Sequence, residues 1–572
     1  MKAQRTAAAL LALTLVFGVG NALPAGAAPT DQSISAPSKT THIIAGNMGY
    51  YVGYSYNADE NILYIYPRDT HGAPDTVLTP RPLELEFNKE IKKIVIDDGI
   101  RYLPSYAFAG CDSLEEIVIP DSVRCIEHDA FPVGSKVLRH CAENPRFITA
   151  GGWIVGYDKE KLSAQPFDEE LIFPASVKGF ANDALLGLWD DDSIFIDRIT
   201  VPDSVRSIGA NTFAGCYARD IIFPSDDLYI GRDAFKDTRL TSVTIGAGDT
   251  LGARAFGDSN IVSVTLAEGF TDIPDEAFQN SKLEDITIPS SVEHIGRDAF
   301  YNTPITDSQA ESRYVMADNW VLYGHYPEQN GAYRKNALPA GTVGIADYAQ
   351  LRGEADLPDT LRSIGAFAFY SEENVNPALD IPPSVRRIEA NAFFSYHPEN
   401  ITFHEGLEYI GSFSVYCPNT TELVIPSTVR YIGAAGLIFS GENEVSITVL
   451  NPQCEIGQAD YSLERCGFVV NNVIGYEGST ARQLCEKYHS DRDKSASDNM
   501  MIFTSLGSPY PKGDVNHDGE VNVTDLMAVA AHVKAIRPLN DPDIADINGD
   551  GDVNVTDLSA IAAHVKGIRA LS

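Results

Sequence analysis

This chain of 572 residues is short of positive charge, of tryptophan and of long apolar runs. It has 43 Lys and Arg against 79 Asp and Glu, a formal charge of −36, so repulsion disfavours nucleic acids and anionic membranes as partners. Beyond the first 27 residues, no run approaches the roughly 18 apolar residues of a membrane span. We therefore expect no nucleic-acid partner, no membrane span, and cations as the counterparts of the acidic surface.

Signatures of several enzyme classes and of thiol chemistry are also missing. The chain has no GxSxG elbow, no HExxH zinc motif and no phosphate-binding loop, and none of its eight cysteines stands in a CxxC pair. Carboxylate pairs of the glycosidase kind are uninformative in so acidic a sequence. We predict that the chain is not an enzyme and that Cys111 and Cys216 are small buried residues, and the redox state of the cysteines stays open.

The first 27 residues have the pattern of a secretory signal peptide. Lys2 and Arg5 precede an apolar run of about 13 residues, and the small residues Ala25-Gly26-Ala27 follow. We therefore expect residues 1–27 to be removed and the protein to be secreted and extracellular.

A phrase of the form IPxSVxxIGxxAF recurs through the middle of the chain. Copies begin at residues 119, 201, 288, 357, 381 and 425, and degenerate copies at 223, 266 and 403 place the units about 21 to 24 residues apart. Each unit opens with a short alternating strand closed by a proline, which cannot donate to a β-ladder. A unit of this size cannot bury its own core, so the units must stack.

Alignment of the units predicts which side chains point inward and which point outward. The inward set is an aromatic column of Phe108, Phe131, Phe213, Phe235, Phe256, Phe278, Phe300, Phe369 and Phe393. One outward column is Glu116, Arg198, Asp220, Ser242, Ser263, Asp285, Asn400 and Glu422, and its neighbour is Val118, Thr200, Ile222, Thr244, Thr265, Thr287, Thr402 and Val424. This outward face has no aromatic rings, so carbohydrate binding on it is disfavoured.

The repeated unit resembles the BspA-like leucine-rich repeats of secreted and surface bacterial proteins, over about residues 91–465. The resemblance implies a mainly β leucine-rich-repeat solenoid with short turns and helical segments. Residues 41–90 are interpreted as an N-terminal β cap and residues 466–504 as a C-terminal cap. Two stretches, 144–162 and 318–336, depart from the unit, and we interpret them as hairpin excursions.

The sequence leaves the function of the repeat rod open between two interpretations. Extended repeat surfaces usually bind proteins, and a rod that only sets a distance is the rival interpretation. The aromatic residues of the two excursions are candidates for a partner or glycan contact, with core packing as the alternative: Trp153, Tyr157, Trp320, Tyr323 and Tyr326.

Two near-copies of an acidic loop and a short apolar helix follow a linker at residues 505–512. Each loop places oxygen-bearing side chains at positions 1, 3, 5, 9 and 12 of a twelve-residue calcium loop, with a backbone carbonyl at position 7. The candidate ligands of two calcium ions are Asp514, Asn516, Asp518, Glu520, Asn522 and Asp525, then Asp546, Asn548, Asp550, Asp552, Asn554 and Asp557. The linker contains Pro and Gly, so only the helix that leaves each loop is expected.

This loop-helix arrangement resembles the dockerin type I family over residues 513–572, a small all-α calcium-binding domain. The resemblance implies binding to a cohesin module of a scaffoldin, through loop positions 10 and 11 and exposed faces of the helices. Carried onto this chain, the contact residues are Val523, Thr524, Ala530, Ala531, Lys534 and Arg537, and in the second copy Val555, Thr556, Ala562, Ala563, Lys566 and Arg569. The Val-Thr pairs depart from the Ser-Thr pair of the best-known dockerins, so the cohesin class stays open.

Together these patterns predict a secreted, non-catalytic cellulosome component in the context of polysaccharide degradation. The dockerin would bind its cohesin in a calcium-dependent way, and the rod would bind an unknown protein or surface ligand. The alternatives are a carbohydrate-targeting subunit and, behind it, a polysaccharide hydrolase of unrecognised type.

Overall fold

The computed structural model shows a β-solenoid of about 14 turns and a small helical module, which confirms the predicted fold class. It describes residues 43–47, 52–67, 76–77, 88–164, 170–189, 196–224, 227–324, 336–352, 355–370, 378–393, 396–417, 419–439, 444–457, 470–491 and 501–572, apart from 509, 517, 519, 540, 541, 543, 569 and 572. The predicted signal peptide lies outside these residues. Within them, no helix has the length and apolar character needed to cross a bilayer.

An antiparallel meander begins the described chain and leads into the parallel stack. Its strands are β1 (Ile43–Asn47), β2 (Val52–Asn57) and β3 (Ile62–Pro67). β3 pairs in parallel with β5 (Lys93–Ile96), and β5 with β7 (Glu116–Val118). A second set of parallel strands consists of β4 (Thr76–Val77), β6 (Ile100–Leu103) and β8 (Cys125–Ile126), and the 3-10 turn Asn88–Glu90 lies between β4 and β5 in the chain.

The strands that open the repeat units form what we call the first ladder. Buried and exposed residues alternate along them, because successive side chains of a strand point to opposite faces. The first ladder continues with β12 (Glu170–Ile172), β14 (Arg198–Thr200), β16 (Asp220–Ile222), β18 (Ser242–Ile245), β20 (Ser263–Leu266), β22 (Asp285–Thr287), β26 (Asn336–Ala337), β29 (Ala355–Asp356), β32 (Leu379–Asp380), β34 (Ile401–Thr402), β37 (Glu422–Ile425), β40 (Ser446–Val449), β42 (Asn472–Gly475) and β43 (Ile502–Ser505).

The two-residue strands at the end of each SVxxI phrase form the second ladder. It consists of β13 (Gly179–Phe180), β15 (Ser207–Ile208), β17 (Tyr229–Ile230), β19 (Thr250–Leu251), β21 (Asp272–Ile273), β23 (His294–Ile295), β27 (Gly344–Ile345), β30 (Ser363–Ile364), β33 (Arg387–Ile388), β35 (Tyr409–Ile410), β38 (Tyr431–Ile432) and β41 (Glu455–Ile456). Four further strands pair in two short sheets: β28 (Leu351–Arg352) with β31 (Phe369–Tyr370), and β36 (Val415–Cys417) with β39 (Leu437–Phe439).

The two predicted outward columns run in register along the first ladder. Ser242 pairs with Ser263, and Ser263 with Asp285, while Thr244 pairs with Thr265. Every member of both columns is exposed or half-buried. The prediction of an outward polar and β-branched face is therefore confirmed.

The predicted aromatic column fills the interior, and all nine of its phenylalanines are buried. From Phe213 through Phe235, Phe256 and Phe278 to Phe300, successive ring centroids lie 5.2, 5.4, 5.7 and 5.8 Å apart with nearly parallel planes. Such contacts stabilise a stack beyond the burial of apolar area alone. Two predicted core residues behave as expected: Cys111 and Cys216 are fully buried, and burial raises the pKa of each thiol to about 12.

Each interruption of the repeat contains an antiparallel hairpin. The first hairpin is β10 (Phe147–Ala150) with β11 (Trp153–Tyr157), flanked by β9 (Arg139–His140) and helix α1 (Lys159–Ala164). The second hairpin is β24 (Tyr314–Ala317) with β25 (Trp320–Gly324), preceded by helix α2 (Pro304–Asp307). The last strand of each hairpin pairs in parallel with β13 or β27, so each hairpin rejoins the second ladder.

The tryptophans of the hairpins are core residues, so the hypothesis that Trp153 and Trp320 contact a partner is wrong. Each is only 2% exposed. Trp320 lies over Gly344 of the following turn, where an added β-carbon would lie 2.4 Å from the indole ring, and Trp153 lies over Gly179 in the same way, at 2.8 Å. Glycine is required under each ring. Of the three tyrosines proposed beside them, Tyr157 and Tyr323 are half-buried and Tyr326 lies outside the described residues.

A histidine joins the turns on either side of the second hairpin. His294 Nδ1 lies 2.7 Å from an Asp272 carboxylate oxygen, and its Nε2 lies 3.0 Å from Asp347 Oδ2. Burial opposes the charge of the imidazole, but the two carboxylates outweigh it and raise the pKa of His294 to about 10. The protonated ring therefore links a turn before the hairpin to a turn after it.

The remaining helices lie at the end of the repeats and in the terminal module. Helix α3 (Thr480–Asp491) begins after Ser479, whose Oγ accepts from the Arg482 amide at 3.2 Å. In the terminal module, helix α4 (Val523–Val533) and helix α5 (Val555–Val565) each follow an acidic loop and pack on one another. Their core is small: Val529, Ala545 and Ile561 are its fully buried residues.

Candidate functional site

The first acidic loop gathers three carboxylates at its centre. Oxygens of Asp514, Asp518 and Asp525 all lie within 4.8 Å of one another, with Asp514 and Asp525 fully buried. Two like charges at this separation repel by on the order of 3 kcal/mol at an effective dielectric constant of about 20. An oxygen-only set of donors under such repulsion fits a hard divalent cation, and calcium prefers about six to eight oxygen ligands.

Backbone amides hold two of the predicted ligand carboxylates in their charged form. The amide of Glu520 donates to Asp518 Oδ1 at 3.0 Å, and with the side-chain amide of Asn516 it lowers the pKa of Asp518. In the second loop, Gly551 donates to Asp546 Oδ2 at 2.8 Å, which outweighs burial and lowers the pKa of Asp546. Both carboxylates are therefore anions at neutral pH, the state that a cation requires.

The residues at loop positions 9 and 12 also start the helices. Asn522 caps α4 by accepting from the Thr524 amide at 2.8 Å. Asp525 accepts from the Val515 amide at 2.9 Å through Oδ1 and from the Asn522 amide at 2.9 Å through Oδ2. The second copy repeats the arrangement with Asn554, Thr556, Ile547 and Asp557, at 2.9, 2.9 and 3.0 Å. The side chains predicted to bind a cation therefore also begin the helices.

The other predicted ligands lie on the rims of the loops. Asn516 and Glu520 are exposed and Asn522 is half-buried; in the second loop Asn548, Asp550 and Asp552 are exposed, Asp546 and Asn554 are half-buried, and Asp557 is buried. The sharp turn of the second loop falls at Gly551, whose φ of +91° favours glycine.

The residues predicted to bind cohesin form matched sets on the two helices. At loop position 10, Val523 and Val555 are 58% and 64% exposed. Of the rest, Thr524, Lys534, Arg537, Thr556 and Lys566 are exposed, Ala530, Ala531, Ala562 and Ala563 are half-buried, and Arg569 lies outside the described residues. The sequence reasoning missed Ile536 and Ile568, which are 73% and 74% exposed. Their shared position in the two copies was the available signal.

The repeated histidines have a structural use. The Leu539 amide donates to His532 Nδ1 at 3.0 Å, and the Leu571 amide donates to His564 Nδ1 at 3.3 Å. Each ring thus fixes the chain that follows its helix.

Two family models match separate parts of the chain. The BspA type leucine-rich repeat region matches in 6 copies over residues 86–139, 192–306 and 351–464, and the dockerin type I domain matches residues 512–566. The chain therefore carries BspA-type leucine-rich repeats and a dockerin type I domain, the composition of a cellulosome-type module with protein-binding repeats. Neither family is catalytic, and dockerin type I domains generally bind calcium.

Solved structures of leucine-rich-repeat proteins are among the relatives. The pneumococcal vaccine antigen PcpA is 19% identical and covers 63% of this chain and 94% of its own, with a TM-score of 0.26. A leucine-rich cell surface protein from Faecalibacterium prausnitzii is 18% identical, covers 70% and 95%, and has a TM-score of 0.19. A leucine-rich-repeat protein from Bacteroides ovatus is 15% identical, covers 80% and 98%, and also has a TM-score of 0.19. The comparison with curated proteins gave no match.

Proposed function

We propose that this chain of BspA-type repeats and a dockerin type I domain is a secreted, non-catalytic cellulosome component. The dockerin binds two calcium ions and then a cohesin module of a scaffoldin. The rod, held in place by that anchor, binds a protein or cell-surface ligand in the context of polysaccharide degradation. The proposal rests chiefly on the two loops in which the position-9 and position-12 side chains also begin the helix.

Calcium dependence follows from this double use of the side chains. Asp525 and Asp557 are fully buried, and burial of a carboxylate is costly without a compensating partner. The cation offsets the charge of the loop and so stabilises the start of the exposed helix. The surface that meets cohesin is therefore formed only by the calcium-bound module.

The duplication supports binding in two orientations. Val523 with Thr524 and Val555 with Thr556 occupy equivalent places at the starts of α4 and α5, and both valines are more than half exposed. Either helix can therefore present the same contact set to one cohesin. The two complexes would differ by a half-turn of the module.

Calorimetry of the whole chain against a panel of cohesins, in calcium and again in chelator, tests the anchoring role. We expect tight binding in calcium that disappears in chelator. Binding that persists in chelator would contradict the calcium-dependent mechanism, and a calcium-loaded module that binds no cohesin would contradict the cellulosome assignment.

Single and double variants test the two orientations. Val523→Asp alone and Val555→Asp alone should each keep affinity within a few-fold, because the other helix still binds. The double variant should lose affinity by a hundredfold or more. Gln483→Ala in helix α3 of the repeat region is the control and should change nothing. A full loss in either single variant would contradict the two-orientation proposal.

A further inference from the structure

The two hairpins are equivalent parts of the fold, which allows their surroundings to be compared residue by residue. In each hairpin the first strand pairs with the second through the same register, including a bulge after the second residue. Trp153 corresponds to Trp320, and each pairs with a glycine of the next turn. Tyr157 therefore corresponds to Gly324, and Gly156 to Tyr323.

A cleft opens beside the second hairpin because the hairpin interrupts the stack. In the regular part, the Phe278 amide donates to Ala299 O of the next turn at 2.8 Å. After the interruption, Ala349 O instead accepts from the Gly324 amide at 3.0 Å. The Asp347 amide still donates to Ile295 O at 2.9 Å, and beyond this contact the turn at residues 296–301, β25 and the turn at residues 346–350 line a common space. The space between them is a cleft of about 270 Å³.

The first hairpin carries a tyrosine at the position that corresponds to Gly324. The phenol of Tyr157 reaches Leu186 and donates to its carbonyl oxygen at 3.3 Å. At the second hairpin Gly324 has no side chain to do this. The two hairpins therefore differ at this position, since one has a tyrosine side chain and the other has none.

Three tyrosines line the cleft, and none of the corresponding positions around the first hairpin is a tyrosine. Tyr301, Tyr323 and Tyr348 stand where the first hairpin has Pro132, Gly156 and Asp183. Tyr301 is 53% exposed and Tyr323 is half-buried. Tyr348 is held firmly, because its ring stacks 4.7 Å from Phe367 and the Arg297 guanidinium lies 5.2 Å from its centroid.

Polar groups complete the lining. Asp298 and Gln350 border the cleft, and both have a positive φ, of 56° and 49°, which fixes their turns. Asp347 also borders it and is immobilised, since its Oδ1 accepts from the Ala366 amide at 2.6 Å and its Oδ2 contacts His294. The wall is therefore preorganised and rich in hydrogen-bond acceptors.

We propose that this cleft binds one ring of a neutral saccharide. A sugar ring has an apolar face of C–H groups, which fits the exposed face of a tyrosine, and a rim of hydroxyls, which fits the phenols, Asp298 and Gln350. The volume of about 270 Å³ lies just below the usual range of small-molecule sites, roughly 300 Å³ upward, and suits a single ring. Two bordering carboxylates and a net charge of −36 oppose an acidic sugar.

This inference goes beyond the proposed anchoring function and does not depend on it. The cleft is built entirely from the repeat region, so it keeps its binding whether or not the terminal module binds cohesin. It also locates glycan recognition away from the outward face of the first ladder, which carries no aromatic rings.

Affinity gel electrophoresis of the whole chain tests the proposal. The gels contain xyloglucan, mixed-linkage β-glucan or galactomannan, with polygalacturonate as the acidic contrast. We expect at least one neutral polysaccharide to retard the protein. Tyr301→Ala should weaken that retardation at least tenfold, and Gly324→Tyr should abolish it because the new side chain would occupy the cleft.

Tyr106→Ala is the matched control, because Tyr106 is 56% exposed on another turn and lines no part of the cleft. It should leave retardation unchanged, and thermal melting should show that every variant is folded. Lack of retardation by all three neutral polysaccharides would overturn the proposal, as would unchanged retardation in folded Tyr301→Ala and Gly324→Tyr. Retardation by polygalacturonate alone would assign the cleft to an acidic ligand and overturn the proposal.

Discussion

In the repeat stack, phenylalanine rings lie face to face from one turn to the next, whereas the described part of the terminal module has four buried apolar residues beside its buried carboxylates. The stack extends its core with each added turn, so each turn is stabilised by its two neighbours. The terminal module is about 60 residues long, a size at which apolar burial alone gives marginal stability. Its two buried position-12 carboxylates reduce that stability further unless they are compensated.

The comparison teaches that two regions of one chain can be stabilised by different interactions, so that one region stays folded under conditions in which the other unfolds. The rod depends on packing, which a change of ions does not affect. On the proposed function, the module depends on compensation of its charge by calcium, which a chelator removes. An anchor of this kind can be released while the rod that it carries stays folded.

Removal of calcium should have the largest effect. Chelation should unfold α4 and α5, because each filled site contributes about 4 kcal/mol when calcium stands a thousandfold above its Kd. Circular dichroism and calorimetry of the whole chain should then show loss of the module's transition. The transition of the rod should keep its temperature within error, and a shift of the rod by several degrees would contradict the separation of the two regions.

Removal of one stacked phenylalanine ring tests how far the rod depends on packing. Phe256 is fully buried between Phe235 and Phe278, so Phe256→Ala should destabilise the rod by about 3 to 5 kcal/mol. Chemical denaturation monitored in the rod gives the change. Thr265→Ala, on the exposed face, is the control and should cost less than about 0.5 kcal/mol. Calcium affinity of the module should be the same in both variants.

Periodic features of the molecule could be predicted from the sequence. The aromatic column and the outward columns repeat with every unit, so their positions follow from alignment of the units alone. The oxygen pattern of the loops is likewise local, since all the candidate ligands of one ion lie within twelve residues. Each of these features depends on spacing along the chain.

Features that join distant turns could not be predicted in this way. The burial of Trp320 depends on Gly344 of the following turn, and the His294 contact with Asp347 spans a whole hairpin. The correspondence of Gly324, which lines the cleft, with Tyr157 joins two insertions whose equivalence appears only in their strand pairing. In each case the partner is fixed by stacking, and no spacing rule links the two positions.

The histidine link should give a smaller, pH-dependent effect that belongs to the rod alone. The pKa of His294 rises from 6.5 to about 10 on folding, so its stabilisation is fully present below pH 6.5 and is lost as the pH rises towards 10. His294→Gln should remove about 2 kcal/mol at pH 6, a value typical of hydrogen bonds to a charged group. The difference in the free energy of unfolding between wild type and variant should shrink as the pH approaches 10, because the neutral ring no longer attracts both carboxylates.

Urea denaturation of the rod at pH 6, 8 and 10 measures that difference. A constant difference would mean that packing, and not charge, links the turns across the hairpin. Since the terminal module has no part in this contact, its calcium affinity at pH 6 should be equal in the two proteins, which keeps the packed rod and the ion-dependent module distinct.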